Sequence, residues 1–272
     1  MNPAPHALSE SPANPFAGMP QLQWDVRQSM PLIADAVDVC YRKVKKTAYP
    51  VRYARYWFIA YFLLCEWRRT QRPLRVCEAG IDRGQMRRVM GALQASPDFA
   101  PLALAAWIGV DIALRHDFLH DIGYSSLVQA DIENSADWVH GDEDVLILLH
   151  ILEHLYNPEQ VIRTIAAAMK PGSMLIGGAP AVPHWCVQLR EPWLRAHKKQ
   201  YRHVSKLSVR RVREIAAASG LTVAFIAGAF GVRWHGMPLE NRTWWVRANL
   251  WFGAHVPAWP GEIYWVLRKP EI

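Results

Sequence analysis

The spacing of hydrophobic and polar positions changes period repeatedly between Leu74 and Pro180. Short aliphatic runs stand at Leu74–Glu78, Trp107–Val110, Ser126–Gln129, Asp144–Leu149 and Met174–Gly178. Stretches with helical spacing follow at Gln85–Ala95 and at Asn157–Met169, the second stopped by Lys170-Pro171-Gly172. Alternation of this kind predicts a doubly wound α/β sheet, with a ligand site at the strand C-termini. The fourth run, DVLILL, is continuously apolar beyond its aspartate, as a central parallel strand buried on both faces requires.

Flanking segments carry other patterns. Met1–Pro20 holds five prolines among small and polar residues and is expected to be a disordered tail. Leu32, Ile33, Ala36, Val37, Cys40 and Val44 keep one helical face, and Pro50 breaks it. A second helix is predicted over Val51–Thr70. It is aromatic nearly all round with arginines at its ends, which suits a buried cap or lid better than a helix lying on a membrane. Past the fifth run, Pro183–Gln200 reads as an insertion. A helix follows from Ser208 to Ser219 with Gly220 as its cap, then a strand at Leu221–Ala227 and a closing strand at Glu262–Leu267. Gly228–Gly261 contains five tryptophans, Trp234, Trp244, Trp245, Trp251 and Trp259. Packing on the amino-terminal helices is preferred there over an acceptor pocket or a membrane-facing rim. The resulting layout is a tail at 1–22, a helical cap at 23–72 and one domain at 73–272, with insertions near 181–205 and 228–261.

Composition adds limits. A chain of 272 residues, 51% hydrophobic and 20% charged, can bury a core without staples. Cys40, Cys65, Cys77 and Cys186 are widely spaced, which points to reduced thiols rather than a disulfide frame or zinc knuckle. The longest apolar run, Tyr56–Cys65, falls short of the roughly 20 residues a bilayer crossing needs. The opening MNPAPHALSE has no basic start and no apolar core of a signal peptide, so the expected location is cytoplasmic. The net charge of +7 permits an anionic partner or a peripheral membrane contact. Nucleic acid is placed below a small-molecule partner.

The candidate chemistry lies at the ends of the runs. Glu78, Gly80 and Gly84 frame a strand-to-helix turn where the backbone can approach a ligand and a helix N-terminus offers free N–H groups. Asp111 ends the second run, 33 residues after Glu78, where a carboxylate can accept two ribose hydroxyls. Asp131 followed by Ile132 suits an adenine, the acid accepting its exocyclic N–H and the side chain packing on its ring.

These residues, with D-V-L-I-L-L-H-I-L-E-H-L-Y-N-P-E-Q-V-I and M-K-P-G-S-M-L-I, resemble class I S-adenosylmethionine-dependent methyltransferases of type 11 or 23. The resemblance covers Leu74–Pro180 well and Tyr201–Ile226 more loosely. It implies a Rossmann-like, seven-stranded, mostly parallel sheet with an antiparallel last strand, and a methyl acceptor that is a small molecule, sugar-linked or lipid-linked. It further implies that Glu78 and Gly80 line the methionine end of the cofactor, Asp111 the ribose, and Asp131 with Ile132 the adenine. Asp82, Gly84, Ile112 and His150 belong to the same expected cofactor set. The turn departs from the family pattern at Asp82, where glycine is usual.

His150, Glu153 and His154 also match H-x-x-E-H, an inverted zinc-peptidase pattern. His150 directly follows a strand and Asn157-Pro158 interrupts any long helix, so no metal is assigned. His116 and His120 are read as a solvated helix face. For an acceptor hydroxyl, a base is sought among His154 and His184, with His150 and His203 behind them. The alternatives are a cofactor-binding protein without catalysis and a nicotinamide oxidoreductase. The second is disfavoured because G-x-G-x-x-G is absent.

Overall fold

The computed structural model describes residues 31–37, 47, 53–197, 203–231, 237–256, 259 and 261–271. The expected tail, most of the first helix's C-terminal half, Cys40, Trp234 and the end of the first insertion lie outside them.

Residues 31–37 form helix α1 and Ala54–Thr70 form α2. The sheet strands are β1 (Leu74–Ala79), β2 (Leu104–Asp111), β3 (Ser126–Gln129), β4 (Val145–Leu149), β5 (Met174–Pro180), β6 (Thr222–Phe230) and β7 (Glu262–Arg268). Between them lie α3 (Gln85–Leu93), α4 (Pro158–Ala168), α5 (His184–Ala196), α6 (Val209–Ala218) and α7 (Thr243–His255). The sheet order is β3-β2-β1-β4-β5-β7-β6, with β7 antiparallel to both neighbours and the other pairings parallel. This is the expected Rossmann-like sheet, with its chain direction reversed in the last strand.

The continuous apolar run of β4 is buried through Val145–Leu148, as its central place between β1 and β5 demands. Helices cover both faces. On one face, α1, α2, α3 and α7 share a core with β1, β5 and β6. On the other, Val161, Ile162 and Ile165 of α4 meet Val212 and Ile215 of α6. The aromatic density of α2 is explained by this packing: Phe58 lies 4.6 Å from the Tyr264 ring and Phe62 5.6 Å from Phe225. Each such side chain contributes about 1.5–3 kcal/mol of transfer free energy. The segment after β6 also joins this core through Val246 and Leu250 of α7, and the Asn249 side chain accepts the Gly231 N–H at 2.9 Å. Its opposite face stays exposed at Trp244 and Trp251.

Helix α2 is also tied to the sheet by charge. Arg55 donates to the fully buried Glu262 at 2.9 Å, and the Tyr264 hydroxyl donates to the second oxygen of the same carboxylate. Burial acts to lower the Arg55 pKa, but the Glu262 carboxylate together with Tyr264, Tyr56 and Glu153 outweighs it, so the net shift is upward and the guanidinium stays charged.

Replacing Arg55 with Met leaves a buried carboxylate without its guanidinium. Arg55→Met is expected to lower unfolding free energy by about 3 kcal/mol. The double variant Arg55→Met/Glu262→Gln should recover much of that loss in urea denaturation.

Candidate active site

The strand C-termini of β1, β2, β3 and β4 open into one cavity of about 740 Å³, within the range of small-molecule sites. Its walls include Glu78, Gly80, Asp82, Asp111, Ile112, Asp131, Ile132 and His150, so eight of the nine expected cofactor residues meet in one place. Gly84 lies behind the wall. It has φ +66 and precedes α3, and a Cβ there would meet Ile122 at 2.2 Å. Its contribution is the turn itself.

The turn after β1 is shaped by backbone conformation. Gly80 has φ +75, and an added Cβ would lie 2.3 Å from the Ile151 side chain. Asp82, where glycine was usual, has φ +45. Aspartate tolerates this left-handed region better than most residues, which lets it replace glycine. Its backbone N–H then donates to Asp111 Oδ2 at 2.9 Å, while Ala113 N–H donates to Oδ1 at 3.1 Å. Each Asp111 oxygen thus uses one acceptor position and retains another for a ligand hydroxyl. Asp131 is held similarly: Glu133 N–H donates to Oδ1 at 3.0 Å and the Asn134 amide donates to Oδ2 at 2.7 Å.

Glu78 is buried at the end of β1 and accepts from Trp107 Nε1 at 3.0 Å and Tyr124 OH at 3.1 Å through one oxygen. Burial pushes its carboxyl up to about 7, and the Trp107 and Tyr124 hydrogen bonds only partly offset this. A cationic ligand in the cavity would favour its ionised form. Across this wall the acids Glu78, Asp82, Asp111, Asp131 and Glu133 outnumber Arg55 and Arg115, although the chain as a whole is basic.

At the β4 tip, His150 has φ +55 and donates its N–H to Gly178 C=O at 2.8 Å. Its Nδ1 lies 3.1 Å from Glu153 Oε1, and its Nε2 lies 3.4 Å from Glu262 Oε1. Leu152–His154 form one 3₁₀ turn, so H-x-x-E-H does not sit on a continuous helix. Burial works to raise the Glu153 pKa, but the His150 hydrogen bond and charge outweigh it, and the net shift is downward.

Of the four candidate bases, His150 and His154 line the cavity. His184 is outside the lining, with Nδ1 3.0 Å from Ser208 Oγ at the start of α6. His203 is also outside it, its ring centroid 4.9 Å from that of His154. Burial pushes the His203 imidazole down to about 4, against the nearby Glu153 carboxylate. Arg55, Tyr56, Arg115, His116 and Tyr156 line the cavity without having been singled out as site residues. The segment Asp117–Ile122 is a 3₁₀ helix that starts after His116, so His116 turns toward the site while His120 stays exposed.

A family model described as a methyltransferase domain matches residues 52–224, well over half the chain. The chain belongs to this methyltransferase family. It has the class I fold whose members use S-adenosylmethionine. A chain of the complex containing the Haloferax volcanii Trm112 methyltransferase activator is 16% identical, with TM-score 0.53, over 91% of this chain and 99% of that one. The plantazolicin methyltransferase BamL, solved with a desmethyl plantazolicin analogue and S-adenosylhomocysteine, is 14% identical, with TM-score 0.51, over 90% and 98%. The [4+2]-cyclase SpnF is 14% identical, with TM-score 0.51, over 91% and 96%. These likenesses concern the fold. No curated protein matches the sequence closely.

The residues present fit this cofactor family. Two carboxylates retain acceptor positions at adjacent strand tips, the turn is bare at Gly80, and the wall is acidic where a sulfonium would bring positive charge. Because the Glu78 carboxyl is raised in the folded chain, the native state holds its proton more tightly than the unfolded state. Without ligand, the Glu78 contribution to stability should therefore be full below pH 4.5, fall as pH rises toward about 7, and level off above, a loss on the order of 3 kcal/mol. Glu78→Gln should flatten that segment of the stability profile in denaturation series at pH 4.5 to 8.

Proposed function

We propose that this protein transfers a methyl group from S-adenosylmethionine to an oxygen or nitrogen of an acceptor that is a small molecule, sugar-linked or lipid-linked. The observation that carries this reading is the convergence of three strand-tip acids, Glu78, Asp111 and Asp131, on one cavity. In it, Asp111 would hold the ribose hydroxyls, Asp131 and Ile132 the adenine, and Glu78 with Gly80 the methionine end. When bound, the cofactor supplies an electrophilic methyl group on a sulfonium. The chain's own task is to fix an acceptor at attack distance and to exclude water. The proton released by the acceptor is handled at the β4 tip, where His150 and His154 face the cavity.

Two surfaces support a lipid-linked acceptor. Helix α5 exposes Trp185, Leu189 and Trp193 at 60%, 68% and 60%, spaced four residues apart on one face. Helix α7 exposes Trp244 and Trp251 at 61% and 53%. Strands β5 and β6 are both antiparallel to β7, so α5 and α7 leave the sheet at the same edge as the cavity. No helix among the described residues is long and apolar enough to cross a membrane. Contact at a bilayer surface is the arrangement these faces favour.

Calorimetry with S-adenosylmethionine, S-adenosylhomocysteine and NAD tests the cofactor. The first two are expected to bind and NAD is not, and Asp111→Ala should weaken binding about 10- to 100-fold, the worth of charge-assisted hydrogen bonds. No binding of either sulfur compound ends the reading. Binding without turnover on any acceptor favours a cofactor-binding protein without catalysis. In a second measurement, co-sedimentation with anionic phospholipid vesicles should fall at least about tenfold in Trp185→Ala/Trp193→Ala. Equal sedimentation of both proteins would remove the lipid-surface component.

A further inference from the structure

We propose that Glu153, His154 and His203 bind one divalent transition cation of the zinc class at the cavity wall beside the β4 tip. Each of the three residues offers a ligand atom, and these atoms all lie within 4.8 Å of one another. Around a tetrahedral ion with bonds near 2.0–2.1 Å, neighbouring ligand atoms lie roughly 3.4 Å apart, so closure needs only side-chain adjustment. The His154 and His203 rings are nearly perpendicular at 88° with centroids 4.9 Å apart. Two imidazoles converging on one such ion would have centroids at roughly 5 Å.

Glu153 supplies the independent observation. Its side chain is buried at 1%, and Oε1 pairs with His150 Nδ1, yet Oε2 has no hydrogen-bond partner among the described residues. A buried carboxylate oxygen left in that state is costly, and a cation is the partner that removes the cost. His150 then serves as an orienting neighbour, the role outer imidazole–carboxylate contacts play at metal centres. The H-x-x-E-H pair of histidines is thereby divided: His154 is a ligand and His150 positions Glu153.

The third ligand comes from another part of the chain and is fixed there by backbone bonds. Val204 and Ser205 N–H groups donate to Glu153 C=O at 2.8 and 3.1 Å, and Ser205 Oγ donates to Leu155 C=O at 2.6 Å. These bonds lay the segment starting at His203 onto the 3₁₀ turn that carries the other two ligands. Three protein ligands leave a fourth position, as catalytic zinc sites do, and His154 lines the cavity. An acceptor hydroxyl bound there would lose its proton more readily. That use rests on the methyl-transfer reading; cation binding itself does not.

The test uses the full chain with any affinity tag removed, stripped with chelator and dialysed. Zinc titrated calorimetrically is expected to bind at one equivalent, and cobalt(II) should give visible absorption bands of tetrahedral intensity that zinc abolishes. His154→Ala/His203→Ala should weaken zinc binding at least about 100-fold, while His140→Ala, on an exposed loop, retains it. Circular dichroism and S-adenosylhomocysteine binding verify that the double variant is folded. Should it not fold, His154→Ala alone, at an exposed position, is measured in its place. Absence of stoichiometric zinc binding, or binding unchanged in the folded variant, overturns the cation site. S-adenosylhomocysteine binding in that case leaves the methyl-transfer reading standing.

Discussion

One fully buried carboxylate governs how the rest of this molecule is assembled. Glu262 begins β7, and its oxygens take Arg55 from α2 and the Tyr264 hydroxyl from its own strand. His150, at the tip of β4, approaches the same carboxylate and also pairs with Glu153. A charge at this depth is tolerable only with its partners in place, so the aromatic helix, the antiparallel strand and the β4 tip must form together. The helix that the sequence separates as a cap therefore packs into the same core as the sheet and supplies a partly buried countercharge at the cavity wall.

Above that charge chain, the cavity depends on unusual backbone conformation at strand ends. Asp82 and His150 both have positive φ without being glycine, and both line the cavity. Such conformations persist where surrounding bonds over-determine them. At Asp82 the return is the N–H that fixes Asp111; at His150 it is an imidazole turned back toward Glu153 and Glu262. The departure from glycine at residue 82 thus creates no obstruction of the turn. It uses an amino acid whose short polar side chain tolerates the left-handed region.

Much of this was legible in local patterns. The strand at Ser126–Gln129 has its predicted bounds, β4 starts one residue later than expected, and Ser208 caps α6 through the Arg211 N–H at 3.1 Å. The acids at Glu78, Asp111 and Asp131 could be read because each lies at or within two residues of a strand's C-terminal end, and parallel strands bring those ends together. Other features depend on contacts distant in sequence. His203 meets His154 through backbone bonds spanning 204 to 153, and Arg55 reaches Glu262 from 207 positions away. His184 carries the right chemistry at the right edge, but its bond to Ser208 holds it away from the cavity lining. The i,i+4 spacing of His116 and His120 suggests a shared helix face, whereas the 3₁₀ helix starts after His116, which lines the cavity.

The sheet order divides the work between two halves of its C-terminal edge. Asp111 and Asp131 lie at and just beyond the tips of β2 and β3, on one side of β1; Asp131 is held from its own loop, and Asp111 by Ala113 of its own loop and by Asp82 of the turn after β1. These contacts come from the turns at adjoining strand ends. The other half, from β4 through β6, builds its edge from long-range pairings instead. Arg211 joins α6 to Glu159 of α4 and Glu191 of α5, fixing where the exposed tryptophans of α5 stand. A fold shared by the methyltransferase BamL and the [4+2]-cyclase SpnF carries different chemistry, so the fold alone does not set the reaction. In this chain the second half combines paired histidines, a buried Glu153 and two exposed aromatic faces. His154 and Val204 stand at the cavity wall through pairings distant in sequence, whereas Asp111 and Asp131 stand there because parallel strands bring their C-terminal ends together.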